Sequence, residues 1–250
     1  MSGSTIVVPC FNEEQRLQPE GLLRLLADPR VTLLLVDDGS SDGTGAMLEA
    51  LKSREARRID VLHLERNSGK AEAVRQGLRA ALARGSNVVA YFDADLATPP
   101  EEMLRLLSFL DDGTTQVVLA ARVALLGRKI ERNPMRHYLG RVFASLSALS
   151  LGLRVYDTQC GAKAFRATAE LRRALEAPFG SRWIFDVELL ARLLGEGVSS
   201  DTFVEVPLRT WHDVKGSSLS FRAMVRALGE VAALGAKRRL GYGASGTRRK

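Results

Sequence analysis

The sequence predicts an α/β fold with a mostly parallel sheet and helices on both faces. Three observations carry this expectation. Apolar, β-rich runs alternate with segments of helical spacing, which implies right-handed crossovers between parallel strands. The 250 residues are 46% hydrophobic and 26% charged, the balance of a globular domain and not of a disordered or membrane-embedded chain. Acidic and glycine-containing motifs directly follow the strands, where open α/β sheets bind their ligands.

The first two strands are TIVVP, Thr5 to Pro9, and LLLVDD, Leu33 to Asp38. Between and after them, EGLLRLLADP, DGTGAMLEALKSRE and GKAEAVRQGLRAALARG place apolar residues at helical spacing, the last closing on a C-cap glycine. Further strands are expected at IDVLHL (Ile59 to Leu64), NVVAYF (Asn87 to Phe92) and QVVLAAR (Gln116 to Arg122). Helices should begin near Pro99 and near Asp186, the second continuing through LLARLLGEG. There is no internal repeat. The pattern divides into one domain over residues 1–235 and a basic tail over 236–250.

That tail explains the net charge of +7, because KRRLGYGASGTRRK, Lys237 to Lys250, holds six positive charges and no periodic apolar residues. It is expected to be disordered, either solubilising the chain or binding an anionic membrane surface at about 1 kcal/mol per basic residue. No nucleic-acid partner is expected. The N-terminus lacks the basic-then-apolar pattern of a signal peptide, and no apolar run nears the roughly 20 residues that span a bilayer. The expected location is therefore cytoplasmic, peripheral on the inner face of a membrane. Cys10 and Cys160 fall in core segments without a close-spaced partner and should be free, buried thiols.

The stretch VVAYFDADLATPP ends an apolar strand in two carboxylates one residue apart. On an extended backbone Asp93 and Asp95 point to the same side and can approach one hard cation. Asp93 lies too far upstream to cap the helix near Pro99. A divalent ion, Mg²⁺ or Mn²⁺, held by one or two carboxylates takes other ligands from substrate phosphates, which implies a nucleoside-diphosphate ligand. The chain has neither a G-x-x-x-x-G-K-[ST] loop nor a G-x-G-x-x-G turn, and that leaves a nucleotide-sugar. In DDGSSDGT the second aspartate, Gly39 and Ser40 form a turn that caps the next helix. A cap needs one carboxylate, so a second is left for a polar ligand such as a base or ribose.

Taken in order, VVPCFNEE, LLLVDDGSSDGT, NSGKAEAVRQG and AYFDADLATPP closely resemble glycosyltransferase family 2, with its GT-A (Rossmann-like) fold and Asp-x-Asp metal motif. DTQCGAKAF, RWIFDVELL and WHDVKGSSL look like those of dolichyl-phosphate β-glucosyltransferases and, more distantly, of dolichol-phosphate mannose synthases. The resemblance covers roughly residues 5–230. It implies inverting transfer of a hexose, glucose from UDP-glucose, onto a polyprenyl or dolichyl-type phosphate. Carried over residue by residue, the donor site falls on Pro9, Phe11, Asn12, Glu13, Val36, Asp37, Asp38, Asp93, Ala94, Asp95 and Arg122, with the metal at Asp93 and Asp95. Lys70 in NSGKAEAV is either near the donor or a solvated lysine at a helix start. Two departures stand out. Mannose synthases carry a lysine before the C-terminal helix where this chain has Ser218, with Lys215 three residues earlier. Archaeal mannose synthases can place a Gln where Ala97 stands.

A phosphate acceptor is already largely anionic at neutral pH, its second pKa being about 6, and needs no general base. An alcohol acceptor would need one, and Asp186 and Glu188 in FDVELL are the candidates; their other reading is to complement a helix dipole. Cationic partners for the phosphate are expected at Arg122, Arg132, Arg136 and Lys215. The segment VFASLSALSLGL is either a helix lying on a bilayer or one packed on the domain. His137 and His212 lack metal-ligand spacing, and Trp183 and Trp211 either stack on a sugar or are buried. An alcohol acceptor, a mannose donor, or a non-enzymatic nucleotide-sugar-binding protein recruited to a membrane are the alternatives.

Overall fold

A computed structural model of the chain describes residues 3–131, 134–213, 229–231, 233 and 235, apart from the side chains of 134–139. Arg132, Lys215, Ser218, the side chains of Arg136 and His137, and the tail 236–250 lie outside the described residues. The strands are β1 (Ser4–Cys10), β2 (Val31–Asp37), β3 (Ile59–His63), β4 (Val88–Phe92), β5 (Val117–Ala121), β6 (Lys129–Glu131), β7 (Ala162–Arg166), β8 (Phe203–Pro207) and β9 (Thr210–His212). Seven of them form one sheet in the order β3-β2-β1-β4-β7-β5-β8, while β6 and β9 pair separately. Strands β1 to β4 are mutually parallel, β5 and β8 pair in parallel, and β7 runs antiparallel to both its neighbours. The sheet is mostly parallel, as the alternation of elements predicts.

The helices are α1 (Pro19–Leu23), α2 (Thr44–Arg54), α3 (Lys70–Ala83), α4 (Pro100–Ser108), α5 (Pro134–Leu151), α6 (Ala169–Ala174) and α7 (Phe185–Gly195). They cover both faces, because alternate strand residues project to opposite sides. Ile6, Leu33, Leu35, Ala90 and Phe92 join one core with Leu22 of α1, Leu48 and Leu51 of α2, and Met103 and Leu106 of α4. Val7, Leu34, Val36, Val89 and Tyr91 join the other with Val74 and Leu78 of α3, Phe143 of α5 and Phe185 and Leu189 of α7. A parallel sheet buried on both faces needs such continuous apolar runs.

The helix expected over EGLLRLLADP is shorter than its apolar spacing suggests. After α1 the chain tightens into a 3₁₀ turn, Arg24–Ala27, and Asp28 is already extended at φ −86°, ψ 121°. Pro29 follows, and a residue before proline is driven out of the helical region. Helix α4 begins with Pro100 in its first turn, where the missing N–H costs nothing. Both cysteines are free and buried, as expected. No helix among the described residues is long and apolar enough to cross a membrane.

Candidate active site

Because β2, β1 and β4 are parallel neighbours, the loops at their carboxyl ends meet along one edge of the sheet. The first two loops are laced together. Asn12 N–H donates to Ser40 Oγ at 3.1 Å, Ser41 N–H to Asn12 Oδ1 at 2.9 Å, and Glu13 N–H to Thr44 Oγ1 at 2.7 Å. Asn12 accepts a φ of 51°, a conformation that asparagine tolerates better than most residues. Pro9, next to last in β1, is half-buried, Phe11 stands 39% exposed on the loop, and Val36 is buried. Glu13 pairs with Arg16 at 2.8 Å, while its Oε2 is buried without a hydrogen-bond partner among the described residues. Burial raises the Glu13 pKa against the pull of Arg16, and Asp95 and Asp42 raise it further.

The adjacent aspartates divide their work. Asp38 accepts from Ser68 N–H and Gly69 N–H, both at 2.8 Å, and so anchors the loop that opens α3. Burial nonetheless raises its pKa. Asp37 accepts from Ser40 N–H at 3.0 Å, which is the turn-forming bond that the motif suggests at one position later.

The pair after β4 departs from the expected geometry. The strand ends at Phe92, and Asp93 and Asp95 sit in a turn in which Leu96 adopts φ 54°. Their proximity comes from this turn and not from an extended backbone. Asp93 Oδ1 lies 2.6 Å from Lys70 Nζ, at the first position of α3, so Lys70 is paired to a residue of the expected metal motif. Burial lowers the Lys70 pKa, but the charges of Asp93, Asp186 and Asp95 outweigh it and the net shift is upward. Gly161 is required beneath: a Cβ there would collide with the Asp93 carboxylate. Asp95 Oδ1 accepts from Ala97 N–H at 3.0 Å, and burial, then the charge of Asp93, raises its pKa. Ala94, between them, is buried.

These two carboxylates suit a divalent ion. Lys70 contacts Asp93 directly, while Asp95 feels Lys70 and Arg16 only at longer range and its pKa stays raised, and a cation would offset that. Among the described residues no group of three or more His, Cys, Asp or Glu is arranged to hold a metal. The remaining ligands would come from substrate phosphate and water, the habit of Mg²⁺.

Under this floor lies a second lysine–aspartate pair. Lys163, from β7, donates to Asp186 Oδ1 at 2.7 Å, to Cys160 O at 2.6 Å and to Tyr91 Oη at 2.8 Å, and Tyr91 Oη also donates to Asp186. Burial works against both charges, raising the Asp186 pKa and lowering that of Lys163, and their direct contact opposes it. Asp186 is therefore buried and tied into this network. Glu188 is also occupied: it accepts from Gly180 N–H at 3.0 Å and from Arg192 at 2.7 Å, clamping the loop before α7.

Residues 5–173 match the sequence pattern of glycosyl transferase family 2. The chain belongs to that family. It is 31% identical over 238 residues to the polyprenol monophosphomannose synthase of Mycolicibacterium smegmatis, covering 94% of this chain and 88% of that protein. It is 35% identical over 236 residues to the dolichyl-phosphate β-glucosyltransferase of Drosophila melanogaster, covering 86% of this chain and 69% of that one. Among solved structures it resembles Mycobacterium tuberculosis glucosyl-3-phosphoglycerate synthase in complex with Mn²⁺, UDP-glucose and phosphoglyceric acid. There the TM-score is 0.68 at 19% identity, over 96% of this chain and 80% of the other, which establishes the shared GT-A fold.

In this family 2 chain, Arg122 follows β5 and its Nε and Nη2 donate to Asp157 at 2.6 and 2.9 Å. Its guanidinium also stands 5.3 Å from the Trp211 ring. Trp211 is buried, whereas Trp183 is half exposed. Burial lowers the Arg122 pKa, but Asp157 outweighs it, so the charge is permanent. Sequence reasoning singled out neither Asp157 nor Lys163. A lysine inside the apolar run AKAF, at a position alternating inward, was the available signal.

Proposed function

We propose that the protein transfers a hexose with inversion from a nucleoside-diphosphate sugar to a polyprenyl phosphate, with UDP-glucose as the first donor to test. The observation that carries this reading is the cluster of Asp93, Asp95 and Lys70 at the end of β4, close enough to Arg122 for Asp93 to raise its pKa. The names of the two curated relatives, a polyprenol monophosphomannose synthase and a dolichyl-phosphate β-glucosyltransferase, support the lipid phosphate acceptor. A phosphate oxygen would attack the anomeric carbon as the bond to the diphosphate breaks, its electron pair leaving with the nucleoside diphosphate. Lys70 and Arg122 supply positive charge around this exchange, and Asp157 fixes the plane of Arg122. A divalent ion held by Asp93 and Asp95 would offset charge on the leaving group. The commitments of Asp186 and Glu188 suit a nucleophile that needs no base.

The lipid chain of such an acceptor requires an apolar surface. Leu125 and Leu126 are exposed in the loop after β5, beside Arg128 and Lys129, and Val142, Leu146 and Leu149 are exposed on α5 at helical spacing. This reading makes them the contact with an anionic cytoplasmic membrane face. A mannose donor is the second reading, favoured by the mannose synthase relative that matches 94% of the chain.

Released nucleoside diphosphate is the measurement, with UDP-glucose and GDP-mannose each offered a short polyprenyl phosphate and Mn²⁺. Release with the phosphate but not with the matching polyprenol is expected, with an acidic limb near a pKa of about 6 set by the acceptor. Release with the alcohol alone would overturn the acceptor, and no release with any pair would favour a binding protein.

A further inference from the structure

His63 is the last residue of β3, and its ring stands between two carboxylates. Nδ1 lies 3.1 Å from Asp37 Oδ2 and Nε2 lies 2.9 Å from Glu49 Oε1. An ionised carboxylate only accepts hydrogen bonds, so both ring nitrogens must donate, and the ring that does so is the imidazolium. The bond to Glu49, and then that to Asp37, raise the His63 pKa against partial burial. Gly45 keeps α2 close: a Cβ there would lie only 3.1 Å from Asp37 Oδ2 and 3.7 Å from His63 Cε1.

The contact continues beyond Asp37. Its Oδ1 accepts from Ser40 N–H at 3.0 Å, and Ser40 Oγ accepts from Asn12 N–H at 3.1 Å. A hydrogen-bonded relay thus runs from the outer strand of the sheet to the loop of Phe11, Asn12 and Glu13.

We propose that His63 is a positioning residue for the donor nucleotide: as a cation shared by Glu49 and Asp37 it fixes the Asp37 carboxylate and, through Ser40, the loop of Asn12. This rests on the reading that the loops after β1 and β2 hold the nucleotide. The charged groups facing the ring are Asp37 from β2 and Glu49 from α2, both acidic. The charged ring favours the ordered loops, so its contribution is complete below the ordinary imidazole value of 6.5 and is lost as pH rises through the raised one.

Calorimetric titration of UDP and of GDP, each with Mn²⁺, into the wild type, His63→Gln and His63→Lys from about pH 6 to about pH 9 tests this. Relative to His63→Gln, the wild type should lose about tenfold in affinity across that range, and His63→Lys should retain affinity at its alkaline end. Linkage adds a readout that a merely structural role would not move: nucleotide binding should raise the pKa of the His63 ring, followed by NMR in the wild type. Equal pH profiles for wild type and His63→Gln overturn the proposal and leave the donor reading intact. If His63→Gln does not fold, an imidazole pKa unchanged by bound nucleotide overturns it instead. A wild type that binds neither nucleotide at any pH overturns the donor reading and the proposal together.

Discussion

Two lysine–aspartate pairs lie on the same side of the sheet, one above the other, in opposite environments. Lys70 and Asp93 are 44% and 30% exposed at the mouth of the crevice, whereas Lys163 and Asp186 are 1% and 8% exposed below it. The outer pair is partly exposed, so its attraction is screened more than that of the buried pair and it is more easily rearranged by a charged ligand. The buried pair cannot be separated without stranding a charge. The same chemistry therefore gives a substrate-responsive contact in one place and a rigid support in the other.

The largest effect expected is at the mouth. Asp95→Asn should reduce turnover about a thousandfold with thermal stability unchanged, and EDTA should do the same to the wild type. Full activity in either case would sink the metal reading. Next comes the buried pair, where Lys163→Met should cost about 3–5 kcal/mol in denaturant unfolding. The double variant Lys163→Met with Asp186→Asn should recover part of that loss. A Lys163→Met protein of wild-type stability would erase the contrast between the pairs. Lys70→Ala should then lower turnover by about tenfold to a hundredfold while changing stability by less than about 0.5 kcal/mol, so comparing it with Lys163→Met measures the contrast directly. Smallest is Glu188→Gln, which should weaken its loop clamp by about 1 kcal/mol and leave turnover near wild type. A collapse of activity there would restore a general base and an alcohol acceptor.

The members of the open pair were singled out in the sequence, though not their contact, and the buried pair was missed. Asp93 and Asp95 sit just past the end of an apolar strand, where polar residues interrupt the pattern, and Lys70 opens a periodic helix. The parallel strands β1 to β5 were legible for the same reason, to within two residues at each end. Strand β7 escaped because Lys163 breaks its apolar run, and it is the bonds to Asp186, Tyr91 and Cys160 that make that lysine tolerable inside. The tie of Arg122 to Asp157 joins residues 35 positions apart and carries no local signal. The two aspartates were expected on an extended backbone; the positive φ of Leu96 is a turn that a non-glycine residue does not announce.

The placement of β7 between β4 and β5 also bears on how the chain is made. Among the described residues strand β5 joins the sheet through β7 and β8, and the free side of β4 is completed by residues 162–166. During synthesis β1 to β4 can assemble as they leave the ribosome, but the outer edge of β4, fully apolar from Val88 to Phe92, stays unpaired until residues 93–161 have followed. The nascent protein must therefore shelter a sticky edge for much of its elongation. Slowing translation or truncating the message between these strands would release a half-sheet that is prone to aggregation.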